Sequence, residues 1–345
     1  MAMSCNYESY SVSIIDVATQ AVVATLPSQR RAGSGAFSPD GTMAFAVSVG
    51  VSPNDYLSVY NINGAASSLA GHIDLTRNLY GFYYNGGWIP NPAVSADGST
   101  VVIAGANPTG QSAIVIDTNL LAIQAVVDLT GVSGSGMPWF AAINSAGDRA
   151  CIVNGQDNLV HFIQLAGPAS SLLHTMTPGQ VPFNAIYSDD GAFVYVNNRD
   201  SNNIVVIDTT TYAIVQTVAL PGEPEYMTKS GSTLFVMCAV NSPTNPTINT
   251  VSMAGASSAL LSSYEKNYYG YFIGGHESPE YAMTNCPGWD TYSFLHDPAA
   301  TATPTTTPTQ GPTSTPGAIP ATSTAGIGIL LLVIGAMLLI SIRYR

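Results

Sequence analysis

Charge is scarce in this chain of 345 residues: Asp, Glu, Lys and Arg together make up 9%, against about 25% in an ordinary soluble domain. Lysine occurs twice, at Lys229 and Lys266, and nine basic residues face 21 acidic ones, for a formal net charge of −12. Phosphate binding rests on clustered basic side chains, so nucleic acid is excluded as a partner. Cysteine is as sparse. Cys5, Cys151, Cys238 and Cys286 are too few for a disulfide-built scaffold, and no CxxC or CxxCH occurs. The histidines, His72, His161, His174, His276 and His296, are scattered without an HxH, an HExxH or a Cys/His cluster, so neither a metal nor another cofactor is expected. GxSxG is missing too, and no catalytic residue is assigned. What is abundant is apolar material, 46% of residues, enough for a sizeable core.

That apolar material is unevenly spread. Residues 325–342, AGIGILLLVIGAMLLISI, carry no charge and only Ser341 as a polar side chain. At about 1.5 Å per residue they would span roughly 27 Å as a helix, enough for a bilayer core. Arg343 and Arg345 follow and mark the cytoplasmic end, which places everything before the helix outside. Residues 298–320, PAATATPTTTPTQGPTSTPGAIP, cannot bury apolar area and read as an extended, disordered Thr/Pro stalk open to O-glycosylation. The expected organisation is a folded domain over 1–297, a stalk over 298–320 and a transmembrane or sorting helix with a basic end over 321–345. Ile319, Pro320, Ser323 and Gly326, followed by an apolar helix and arginines, resemble the IPTL-CTERM type of bacterial sorting signal; Ala321, Thr322 and Ala325 depart from it. The resemblance implies a processed, envelope-sorted bacterial protein. A simple C-terminal anchor is the alternative, with the same topology.

Residues 1–297 repeat. Strand-like runs end at Asp16, Asn63, Asp117, Gln164, Asp208, Met253 and His296, at intervals of 47, 54, 47, 44, 45 and 43 residues. Their β-branched content argues for strands. Between them recur Ser38-Pro39-Asp40-Gly41, Ser95-Ala96-Asp97-Gly98, Ser145-Ala146-Gly147-Asp148 and Ser188-Asp189-Asp190-Gly191, tight turns in which Pro sets φ and Gly supplies φ > 0. A period of 40–50 residues with four short strands is the signature of a β-propeller blade. SVSIIDVATQAVVATLP (11–27), FVYVNNRDSNNIVVID (193–208) and NIVVIDTTTYAIVQTVALPGEPEYM (203–227) resemble the YVTN repeat family in particular. That resemblance implies an all-β fold of seven four-stranded antiparallel blades, the first and last incomplete. Label each blade's strands A to D from the channel outwards: seven C strands are present, but six A and six D. The chain opens in a B strand, and no basic start with an apolar run precedes it. An upstream strand pair and a signal peptide, absent from this sequence, are therefore expected.

The candidate ligand site is the rim where the B–C and D–A connections meet. Loop 77–88 contributes Arg77, Tyr80, Tyr83, Tyr84 and Trp88; loop 263–271 contributes Tyr268 and Tyr269; Trp139 enters the third inner strand from the same side. Flat aromatic faces beside hydrogen-bonding groups suit sugars or peptides, and packing beneath long loops is the alternative. Asp16, Asp117 and Asp208 recur with the repeat and are read as turn caps. The four cysteines fall in different blades, too far apart to bridge, a Cys5–Cys286 clasp excepted. Function then divides in two. One reading is an extracytoplasmic module anchored through its C-terminal helix, which binds a glycan, a peptide or an envelope partner, or builds part of the envelope. The other, implied by lactonase-like and dehydrogenase-like relatives of the repeat family, is an enzyme working at the mouth of the central channel. Arg31, Glu223 and Glu225, with Arg199 and Arg77 on the rim, are its nearest candidates. Convergence of three ionisable groups within about 3–4 Å would promote it.

Overall fold

The computed structural model describes residues 1–6, 9–49, 55–75, 90–107, 110–129, 138–239, 247–265, 272–275, 281–285 and 292–296. The chain divides into two units, Met1–Ala300 and Thr301–Arg345, and the description concerns the first. The stalk, the apolar segment 325–342 and the sorting-signal residues lie outside the described residues. Among the described residues no helix is long and apolar enough to cross a membrane.

Among the described residues every named strand belongs to an up-and-down antiparallel sheet. The first sheet has three strands, β1 (Ala2–Asn6), β2 (Ser11–Asp16) and β3 (Ala21–Pro27). Five sheets of four follow. The second runs β4 (Arg31–Phe37), β5 (Met43–Val49), β6 (Tyr56–Asn61) and β7 (Ser68–Asp74). The third is β8 (Ala93–Val94), β9 (Thr100–Asn107), β10 (Gly110–Asp117) and β11 (Ala122–Asp128). The fourth is β12 (Phe140–Ile143), β13 (Arg149–Asn154), β14 (Leu159–Gln164) and β15 (Ser171–Met176). The fifth is β16 (Pro182–Tyr187), β17 (Phe193–Asn198), β18 (Asn203–Asp208) and β19 (Ile214–Ala219). The sixth is β20 (Glu223–Ser230), β21 (Thr233–Ala239), β22 (Thr247–Ser252) and β23 (Leu260–Glu265). The seventh again has three strands, β24 (Phe272–Gly275), β25 (Tyr281–Asn285) and β26 (Tyr292–His296). This is the β-propeller architecture the period implies; among the described residues its first and last sheets show three strands each.

The core lies between sheets. In the middle strands of a blade both faces are covered: β10 buries six consecutive residues and β6 four. This is why SAIVID and NIVVID read as apolar runs and not as strict alternation. Phe45, Val47, Leu57 and Val59 of the second blade meet Val101, Ile103, Ile114 and Ile116 of the third. Val102, Ala104, Ala113 and Val115 then meet Ala150, Ile152 and Ile163 of the fourth. At six C–D pairings the register slips at the same place, beginning with Ile14/Ile15 and Val59/Tyr60. The bulges strengthen the twist that lets flat sheets stand radially.

The lower rim is built from the A–B and C–D turns. Ser38 Oγ bonds Asp40 at 2.5 Å and accepts the Met43 N–H at 2.9 Å, and Gly41 closes the turn at φ 70°. Ser95 with Asp97 and Ser188 with Asp190 repeat the geometry. In the fourth blade the turn is one residue earlier than the sequence alignment put it: Asn144, not Ser145, takes the serine's place. Its N–H donates to Arg149 O at 3.0 Å and its carbonyl accepts from Gly147 at 3.0 Å. Asp16, Asp117 and Asp208 each accept two backbone N–H groups, the capping role read from the repeat. Cys5, Cys151 and Cys238 are free thiols on three different blades; Cys286 lies outside the described residues.

Tyrosine hydroxyls latch neighbouring blades. The fully buried Tyr195 accepts the Gly255 N–H at 3.0 Å and pairs with Ser258 Oγ at 3.2 Å. Tyr195→Phe leaves that N–H without its acceptor, and a loss of about 1–2 kcal/mol is expected in urea denaturation. An unchanged midpoint would show that the latch contributes nothing.

Candidate functional site

Of the rim residues named from sequence, Arg77, Tyr80, Tyr83, Tyr84, Trp88, Tyr268 and Tyr269 lie outside the described residues, as does His276. Trp139 is described, and it packs. Its ring lies over Gly155, where a Cβ would come within 2.3 Å of it, and 5.4 Å from the Phe183 ring. Phe183 in turn meets Phe140 at 5.6 Å and Tyr226 at 5.3 Å, so inner-strand aromatics of three successive blades form one buried stack. The Trp139 indole N–H is buried without a hydrogen-bond acceptor among the described residues.

Three ionisable groups do converge. Arg199 begins the β17–β18 turn of the fifth blade; Glu223 and Glu225 lie at the upper start of β20, the inner strand of the sixth. The guanidinium spans the gap, with Nη2 3.1 Å from Glu223 Oε2 and Nε 3.4 Å from Glu225 Oε1. Their side chains are 39%, 15% and 8% exposed respectively, so the cluster grades from open to buried. Backbone geometry explains Glu225's inward place. The β20–β21 register slips between Pro224 and Tyr226, making Glu225 the extra residue of a bulge. Bulges re-aim side chains in this way. Asn197, fully buried, braces the strand by donating to Glu225 O at 3.1 Å and accepting the Asn184 N–H at 2.6 Å.

Burial is the strongest influence on Glu225 and raises its pKa; Arg199 lowers it, and Glu223 raises it again. The net shift is upward, so desolvation outweighs the ion pair. A buried carboxyl with a raised pKa beside a cation is suited to exchange a proton or to accept a ligand's hydrogen bond. Strain lies next to it. Val181 sits at φ 50°, an uncommon conformation for a β-branched residue, held by Asn158 Oδ1 on its N–H (2.6 Å) and by the Arg199 N–H on its carbonyl (2.8 Å). Arg31 opens β4, in a different blade.

A second polar network sits on the same rim between the third and fourth blades. Gln111 donates to Asp157 Oδ2 at 2.6 Å, and Asn154 donates to Gln111 Oε1 at 3.0 Å and to Asp157 at 2.9 Å. Beneath it His161 is fully buried, with Nδ1 2.9 Å from Thr175 Oγ1 and Nε2 unpartnered. Sequence reading missed this network. Its available signal was the asparagine that ends five of the seven B strands, Asn6, Asn107, Asn154, Asn198 and Asn285.

No protein-family model matches the chain, and no curated protein matches it. Solved structures do. The chain is similar to hydrazine synthase of Kuenenia stuttgartiensis at 14% identity, covering 86% of this chain and 92% of that one, with a TM-score of 0.65. It is similar to a putative 6-phosphogluconolactonase of Bacteroides fragilis at 14% identity, over 87% and 91%, with a TM-score of 0.64. The β-propeller domain of Cps50 (Swd1) from Myceliophteria thermophila matches at 11% identity, over 78% and 87%, with a TM-score of 0.59. At these identities the likeness establishes the β-propeller fold alone.

Burial lowers the His161 pKa to about 4, with Asp157 opposing weakly. The unfolded chain, with histidine near 6.5, therefore takes up a proton that the folded chain refuses. Stability contributed by neutral His161 is complete above about pH 6.5 and falls between there and about pH 4, by on the order of 3 kcal/mol. His161→Gln flattens that limb of a stability–pH curve measured by urea denaturation. An equally steep limb in the variant refutes the assignment.

Proposed function

We propose that this chain is an extracytoplasmic, envelope-tethered β-propeller that binds a glycan on its upper rim. Arg199, Glu223 and Glu225 are its polar anchor. The observation that carries the reading is the Arg199–Glu223–Glu225 cluster at the inner-strand end, where the channel opens. A guanidinium and two carboxylates offer paired donors and acceptors at fixed spacing, which is what vicinal sugar hydroxyls require. Tethering is supported by the Thr/Pro stretch 298–320 and the uncharged run 325–342. The IPTL-CTERM-like junction and the YVTN-like repeats support an envelope-sorted bacterial origin. Glycan-array binding by the full chain in detergent tests the reading. Arg199→Ala is expected to weaken binding at least tenfold with the fold retained by circular dichroism. Unchanged binding by that variant, or no glycan bound at all, refutes it.

The convergence of Arg199, Glu223 and Glu225 within 3.1 and 3.4 Å, with the raised pKa of Glu225, favours a second reading, a hydrolase acting at the same mouth with Glu225 as proton donor or acceptor. Glu225→Gln separates the two. A binding module loses affinity modestly; a hydrolase loses turnover of a lactone or glycoside panel while still binding its substrate.

A further inference from the structure

The Arg199 cluster is unbalanced, in charge and in hydrogen bonds. One guanidinium faces two carboxylates, which leaves one negative charge over. Arg199 Nε lies 3.4 Å from Glu225 Oε1, yet it is buried and makes no hydrogen bond among the described residues. Glu225 is acted on by burial, by the charge of Arg199 and by the opposing charge of Glu223; no hydrogen bond to its carboxylate is among these influences. A carboxylate at this depth needs donors as well as a countercharge, because attraction to one ion does not offset its desolvation.

The β17–β18 turn that carries Arg199 is short of donors too. Asn198 is fully buried, and its Nδ2 donates to Pro178 O at 3.4 Å and to Asn203 Oδ1 at 2.9 Å. Pro178 O can only accept, so the amide's orientation is fixed and Asn198 Oδ1 is left unpartnered among the described residues. Asn202 Oδ1, in the same turn, is buried and unpartnered as well.

Resting on the glycan reading, we propose that the rim site takes an amino sugar, a hexosamine unit whose free ammonium group sits against Glu223 and Glu225. The ammonium supplies the missing countercharge, and its three N–H donors can be shared between the two carboxylates. Both keep part of their side chain open, 15% at Glu223 and 8% at Glu225. The hydroxyl beside the amine on the sugar ring meets the more exposed guanidinium. An N-acetylated sugar brings no charge, and an acidic sugar adds a third carboxylate to a site already in surplus. The whole propeller leans the same way: residues 1–297 carry seven basic and 21 acidic side chains, 7 − 21 = −14.

Calorimetric titration of the full chain in detergent tests the proposal with two probes, a glucosamine oligomer and its fully N-acetylated counterpart of equal length. At about pH 6, where an alkyl amine is charged, the free amine should bind about tenfold more tightly. Glu223→Gln keeps a hydrogen-bonding group but removes the charge, and should bring the two probes to near parity. Asp16→Asn makes the same charge change on the lower rim with a capping side chain retained, and should leave the preference intact. Equal binding of the two probes by the unmutated chain overturns the amino-sugar assignment and leaves the glycan reading standing. So does binding of other glycans with neither probe bound, whereas no glycan bound at all removes both. A preference that survives Glu223→Gln, or that Asp16→Asn weakens as much, belongs to the overall charge of the ring and overturns the site.

Discussion

Every feature of this molecule depends on the need of its middle strands to be covered on both faces. A strand such as β10, buried along nearly its whole length, cannot stand in an isolated blade; it requires a sheet on either side. Each large side chain in those interfaces contributes about 1.5–3 kcal/mol by leaving water. The blades therefore stabilise one another in sequence, and the ring behaves as a row of interfaces more than as a set of independent sheets. Tyr60 and Tyr195 add direction to this non-directional attraction. Each crosses from its own blade to a backbone group next door, at Pro27 O and Gly255 N respectively.

The rim site reverses that logic. Around Arg199 the chain keeps a buried carboxylate whose desolvation exceeds what its ion pair returns, and a β-branched residue at positive φ within one hydrogen bond of the arginine. Neither stabilises the fold, and apolar residues of similar volume would serve packing better. Unfavourable groups gathered at one place and braced by Asn197 indicate a site organised for something other than stability.

Much of this was legible in the sequence, for a physical reason. Turns with demanding backbone geometry use few residue types, so Ser-x-Asp-Gly and the Asp that ends three of the C strands announced the lower rim, and the 43–54-residue spacing of those strands announced the blade count. Glu223 and Glu225 were visible as rare charges at a strand start, and Arg199 as one on the rim. Their meeting was not, because it depends on a bulge that moves Glu225 out of the strand's alternation, and no residue type marks a bulge. The same limit explains the fourth blade, where Asn144 does the work of a serine and the alignment of letters slipped by one. Trp139 shows the converse. An aromatic at a rim entrance reads as a contact for ligands, yet Gly155 and Phe183 receive its ring, and only the neighbouring blade reveals that.

The lower-rim turns have a collective effect. Asp16, Asp40, Asp97, Asp190 and Asp208 are each held below the usual carboxylate range, chiefly by hydrogen bonds from neighbouring backbone N–H groups and hydroxyls. Chosen for local geometry and spread over four blades, they add up to a crown of negative charge that holds to lower pH than free carboxylates would. At neutral pH the lower rim therefore repels an approaching anionic surface, whether a lipid headgroup layer or a neighbouring crown.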